Sequence, residues 1–247
     1  MLLAWARAIL LQLAHPLIAA GVYDHSSFRS GPLTAAARLH HTVRAMLGLT
    51  FGDERERAQA IDGIMTIHRR VNGVLPEAAG RFPAGTPYTA EDPDLVLWVH
   101  ATLLESIPLV YERVVRRLSD AERDEYCAEA KWVAVALGAR AAEVPVTAAA
   151  VHAYLEAMHA SGSIAVSRQA RELASAVMAP PLSAFIAPVV WANRLVTVGL
   201  LPDRLRQEYG FAWHAGDDAA RRRVLATIAA TRAMTPRALA WWPEARR

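Results

Sequence analysis

The sequence predicts an all-α fold in a single domain spanning residues 1–247. Three observations carry that prediction. Apolar residues recur at helical spacing in nearly every long segment, and no segment alternates apolar and polar residues as a strand does. Residues that start and stop helices punctuate the chain from end to end, with no internal repeat. Hydrophobic residues make up 53% of the 247 positions against 21% charged, which supplies one generous core.

The first helix is predicted over residues 2–20, with Gly21 near its end and Pro16 bending or splitting it. Arg7, Gln12, His15 and Pro16 interrupt its apolar run, which suits a buried helix better than a bilayer span. It lacks a basic start followed by a small-residue cleavage site. Tyr23 to Pro32 reads as a loop by composition. A helix over residues 34–49 places Arg38, Thr42, Ala45 and Leu49 on one face, with His41 bordering it. Phe51-Gly52 ends it. Asp53 with Glu56 three residues on forms a capping box for the next helix. That helix carries the stripe Ile61, Ile64, Met65, His68, Val71 and Leu75 and is predicted to stop by Gly73 or Pro76. Residues 76–90, rich in Gly and Pro, read as a loop.

Asp92-Pro93-Asp94 is a strong helix start: a cap, a proline in the first turn and an acid at the positive end of the dipole. The helix it opens is apolar all round and so central, with a kink expected at Pro108. Ser119 with Glu122 is a second capping box, opening a helix that ends near Gly138. Pro145-Val146-Thr147 starts another, running to about Ala160. Further helices are predicted near 164–178, 181–200 and 216–232, with breaks at Gly162, Pro180, Pro181 and Pro202. The 181–201 stretch, interrupted by Asn193 and Arg194, reads as a core or interface helix and allows weak membrane-surface contact. Trp241-Trp242-Pro243 is expected to pack on the surface or at an interface.

Composition also narrows function. The net charge is +3 with dispersed basic residues, so no nucleic-acid stripe is expected. The single cysteine, Cys127, excludes an intrachain disulfide, a cysteine-based zinc site and covalent c-type haem attachment, and fits a cytoplasmic location. None of the nine histidines belongs to a His-Glu-x-x-His motif. The chain has no Gly-x-Ser-x-Gly, Gly-x-Gly-x-x-Gly or P-loop. Two antiparallel helices joined by a short loop can bring His41 and His68 together, with His100 on the next long helix. Histidines on adjacent apolar helices, with few carboxylates, suit a haem pocket and suit a di-iron bundle poorly. His68, the one polar member of its stripe, either has a buried hydrogen-bond partner or holds something. His15 is expected to be structural, its ring bonding a carbonyl freed by the Pro16 break. Trp98 and Tyr88 read as packing, His100 as a core or pocket residue, Asp92 as a cap, and His25 as pocket or loop.

Four ordered blocks carry a family resemblance. They are Leu11-Gln12-Leu13-Ala14-His15-Pro16 with Ala20-Gly21-Val22 and Asp24-His25-Ser26; Arg38-Leu39-His40-His41-Thr42 with Phe51-Gly52; His68-Arg69-Arg70-Val71-Asn72-Gly73; and Tyr88 through Thr102. In order and spacing they resemble the haem oxygenases that include latex clearing protein (rubber oxygenase) and MpaB, over about residues 2–160. The resemblance implies an all-helical domain enclosing a non-covalent b-type haem, with His68 as iron ligand. Arg38 and Thr42 match the Arg-x-x-x-Thr pair beside the haem. The rubber-cleaving branch has a lysine just before that threonine; this chain has His41 there, as a second axial ligand or a distal hydrogen-bond donor or base. The implied activity is a haem b-dependent oxygenase using dioxygen on an apolar unsaturated substrate, isoprenoid- or lipid-like. Two alternatives stay open: a haem-binding sensor or carrier ligated by His41 and His68, and a scaffold of the same fold without haem.

Overall fold

The computed structural model describes residues 2–25, 43–178 and 187–236. Arg38, His41, Thr42 and the Trp241-Trp242-Pro243 tail lie outside the described residues, which contain eleven helices and one two-stranded hairpin.

Pro16 splits the first helix. α1 (Leu2–Leu13) and α2 (Pro16–His25) meet at 105°, because a proline at the first helical position opens a new helix more readily than it continues an old one. α2 then runs through buried Gly21 to His25, so Tyr23, Asp24 and His25 are helical where composition predicts a loop. The described part of α3 covers residues 43–51. It ends before Gly52, where only glycine fits, since a Cβ there would collide with the Gly48 carbonyl. Asp53 and Glu56 close a full capping box at the start of α4 (Glu54–His68).

α4 stops at His68, short of the predicted end, so His68 sits in the last turn and not mid-helix. Val71 and Leu75, which extend the apolar stripe in sequence, belong instead to a cluster with Leu17, Ala20, Tyr88 and Leu95. The segment predicted as loop contains a short antiparallel hairpin: β1 (Asn72–Val74) pairs with β2 (Pro87–Thr89), with Gly73 opposite Tyr88.

α5 (Pro93–Val114) is the axis of the fold. Asp92 caps it through the Asp94 amide, Pro93 occupies its first turn, and ten of its residues are buried. The helix continues unbroken through Pro108. Trp98 lies at its heart, fully buried. Around it pack α1, α6 (Asp120–Ala136), α7 (Ala148–Ala160) and α11 (Asp217–Met234). The Ser119/Glu122 capping box opens α6, and Thr147 caps α7 through the Ala150 amide. α8 (Arg168–Met178), α9 (Ala187–Gly199) and the short α10 (Asp203–Glu208), absent from the sequence prediction, complete the fold. By length and composition α5 could cross a membrane, yet 56% of its most apolar window is buried inside the protein, as in a core helix.

One polar tie runs through this core. Arg7 of α1 is 2% exposed. Its Nε donates to the Leu200 carbonyl at 2.7 Å and its Nη1 to Ser106 Oγ at 2.6 Å. The rest of the guanidinium grips Glu105 in two contacts, one from Nη2 to Oε1 at 2.9 Å. Glu105, in the middle of the central helix, is therefore the partner of the arginine that interrupts the first.

Candidate functional site

The site is built around the end of α4. α4 contains no fully buried residue: Ile61, Ile64, Met65 and His68 share one face and are each half-buried. The capping box fixes its first turn, and the chain just beyond His68 fixes its last. The Arg70 amide donates to the Ile67 carbonyl and the Val71 amide to the His68 carbonyl, each at 3.0 Å, which closes a tight turn into β1. The Ala90 amide donates to the Val71 carbonyl at 2.9 Å, anchoring that turn to the chain leading into α5.

His68 Nδ1 is buried with no hydrogen-bond partner among the described residues. Opposing influences act on the ring. A helix C-terminus and the nearby Glu91 carboxylate favour the imidazolium, while burial disfavours it. Burial is the larger effect and holds the His68 pKa below the usual histidine value, so the ring is neutral at pH 7. A neutral imidazole with an uncommitted, sheltered nitrogen has a lone pair to offer a metal.

The last turn of α2 reaches the same hairpin. His25 Nε2 is 2.9 Å from the Asn72 carbonyl, and the Tyr88 hydroxyl donates to Asp24 Oδ2 at 2.6 Å. Tyr88 lies across Gly73 so closely that a Cβ on Gly73 would sit 2.6 Å from its hydroxyl. Gly21 of α2 faces Val71, where an added Cβ would be 3.2 Å from Cγ1. Tyr88 is thus packing, as expected, and also a donor. Asp24 and His25 are its companions.

The other histidines separate by environment. His15 stacks obliquely on Phe82 with ring centroids 5.1 Å apart. Its Nδ1 is buried and unpartnered among the described residues, so that atom does not bond the carbonyl expected at the Pro16 break. Burial, reinforced by the Arg81 charge, lowers its pKa to about 4. His100 is a core residue of α5, its Nε2 likewise unpartnered and its pKa lowered to about 4 by burial. Among the described residues no three His, Cys, Asp or Glu side chains converge as a metal-binding group. Among the described residues His68 therefore belongs to no three-residue donor group. Arg38, His41 and Thr42 are outside the described residues, so their placement relative to His68 is not described.

The family model described as "ER-bound oxygenase mpaB/B'/Rubber oxygenase, catalytic domain" matches residues 1–231. The chain belongs to this family. No curated protein and no solved structure matches it. Membership in the mpaB/rubber oxygenase family makes this an oxygenase catalytic domain, and the match runs past the 2–160 region of the sequence blocks into α11. Sequence reasoning missed the joint role of Asp24, His25 and Tyr88 in this mpaB/rubber oxygenase domain. The signal available for it was the pair Gly21 and Gly73, small residues where other chain segments approach closely.

Proposed function

We propose that this mpaB/rubber oxygenase family member is a haem b-dependent oxygenase that uses dioxygen on an apolar, unsaturated, isoprenoid- or lipid-like substrate, with His68 as iron ligand. The observation that carries the reading is the buried, unpartnered nitrogen of a neutral His68 on an apolar helix face. The residues present fit a b-type haem: one imidazole suits axial ligation, and the accessible parts of Ile61, Ile64 and Met65 on the same face suit a large planar apolar group. Haem, when bound, supplies the activation of dioxygen.

The chain supplies the rest. His68 remains unprotonated because burial outweighs Glu91. Arg38 is the cation for a propionate or for developing negative charge, and Thr42 and His41 supply hydrogen-bonding groups beside it, roles taken from the Arg38–Thr42 block of the sequence. Apolar side chains exclude water and hold a greasy substrate by burial.

The test is an absorption spectrum of the purified protein after haemin reconstitution, with His68→Ala beside it. The reading expects stoichiometric haem with an imidazole-ligated spectrum, lost or weakened in His68→Ala, and oxygen uptake with a terpenoid or unsaturated lipid. A protein that stays colourless, or a His68→Ala variant with full occupancy and unchanged ligation, overturns it.

A further inference from the structure

We infer that the last turn of α2 is a positioning clamp for His68, with Asp24, His25 and Tyr88 as its working parts. The inference rests on the reading of His68 as an iron ligand and names what holds that ligand in place.

The core holds it only lightly. α4 has no fully buried residue and meets the rest of the protein through one half-buried face. A helix anchored so lightly takes its position from its two ends. The Asp53/Glu56 capping box secures the first turn but lies at the far end from His68. The near end is tied to the hairpin, because the Val71 amide bonds the His68 carbonyl and Asn72 begins β1.

That hairpin is short, three residues a strand, and a two-stranded ribbon of this size is not stable alone. α2 supplies the missing support at three points. Gly21 lets Val71 and the Tyr88 ring approach its backbone so closely that an added Cβ would come within 3.4 Å of both. His25 Nε2 bonds the Asn72 carbonyl at 2.9 Å, four residues after His68. Asp24 accepts the Tyr88 hydroxyl at 2.6 Å, and that hydroxyl in turn lies over Gly73. The three contacts converge on residues 71–73, the segment that fixes where α4 ends.

Asp24 and His25 are exposed, so replacing them leaves the core intact. A purely architectural contact at such positions would alter stability a little and the His68 environment not at all. A positioning contact does the reverse. Outer groups that orient a metal ligand typically change metal affinity by about 10–100-fold when removed.

The test compares Asp24→Ala with Asp24→Asn, and His25→Ala with His25→Gln, alongside Tyr88→Phe and His68→Ala, all in the full chain. Asparagine retains an acceptor for the Tyr88 hydroxyl, and glutamine a donor for the Asn72 carbonyl. Without haem, the expected result is faster amide exchange confined to residues 69–74 in the two alanine variants and Tyr88→Phe, with unchanged melting. With haemin, the same three variants should bind about tenfold more weakly. They should also show a shifted axial-ligand signature by electron paramagnetic resonance, while D24N and H25Q stay near wild type. If Tyr88→Phe fails to fold, the two surface alanine variants decide the matter. Wild-type exchange and wild-type ligation in Asp24→Ala and His25→Ala, with His68→Ala still losing its ligation, overturn the clamp alone. A His68→Ala protein with unchanged ligation overturns the ligand assignment, and the clamp with it.

Discussion

Removing Glu105 should destabilise the protein more than removing Arg7, although the two form one ion pair. The asymmetry comes from burial: the Arg7 side chain is 3% exposed and that of Glu105 34%. Arg7→Met leaves a carboxylate that water can reach, plus an unpaired Leu200 carbonyl and Ser106 hydroxyl. Two lost acceptor contacts at about 1–1.5 kcal/mol each, with modest relief from hydration of Glu105, give a cost of about 2 kcal/mol. Glu105→Leu leaves a guanidinium with two donors unmet and no counter-charge in a site closed to water. Stranding a buried charge costs about 3–5 kcal/mol, so the upper end applies here. The double replacement Arg7→Met/Glu105→Leu removes both charges and adds apolar contact, so it should be less damaged than the sum of the singles by about 2 kcal/mol or more. Urea unfolding at pH 7.5 measures all three, with equal slopes confirming that only stability has changed. Losses that simply add, or a Glu105→Leu variant milder than Arg7→Met, would refute the reasoning.

The buried histidines make stability depend on pH. The pKa values of His15 and His100 are lowered from 6.5 to about 4, so the unfolded chain takes up protons first as pH falls. Their contribution is present in full above pH 6.5 and is lost progressively down to about pH 4, by at most about 3 kcal/mol per histidine. His68 and His159, also lowered mainly by burial, act in the same direction. A urea midpoint that does not drop between pH 7.5 and pH 5 would contradict this. Asp53→Ala removes the cap on α4 and should cost about 1 kcal/mol. Because α4 has no fully buried residue, that loss should register as roughly fivefold faster amide exchange in the first turn of the helix and leave the global melting temperature in place.

Local signals in the sequence are reliable where a residue acts on its own neighbours. Asp53 with Glu56, Asp92 before Pro93, Ser119 with Glu122, and Thr147 all cap the helices that the sequence has them open. Pro16 breaks the chain where its missing amide requires. Long-range pairings escape such a reading. Arg7 and Glu105 lie 98 positions apart, so each reads alone as a polar interruption. The hairpin joins Asn72–Val74 to Pro87–Thr89, two triplets too short to alternate. Periodicity misplaces the end of α4 because Val71 and Leu75 keep helical spacing with His68 while serving a different cluster. At the site, His68 is visible as the polar member of an apolar stripe, and the ordered blocks supply the family. The grip of Asp24 and His25 on the hairpin depends on α2 continuing past Gly21, which loop-like composition conceals.

These features explain why the candidate ligand sits where it does. The fold concentrates its burial in α5 and the helices around it and leaves α4, with its half-buried stripe, outside that core. A ligand that covered Ile61, Ile64 and Met65 would bury area the protein alone does not, and it would bind only the folded chain. Linkage then requires haemin to raise the melting temperature, by about 2.7 kcal/mol of stability at a free concentration about a hundred times its dissociation constant. The increase should be smaller in Ile64→Ser, which removes apolar area from that face, while the axial-ligand signature of His68 stays the same. Surface area and ligation are separable contributions, and a variant that lost both together would mean that α4 owes its position to the ligand and not to the capping box and hairpin at its ends.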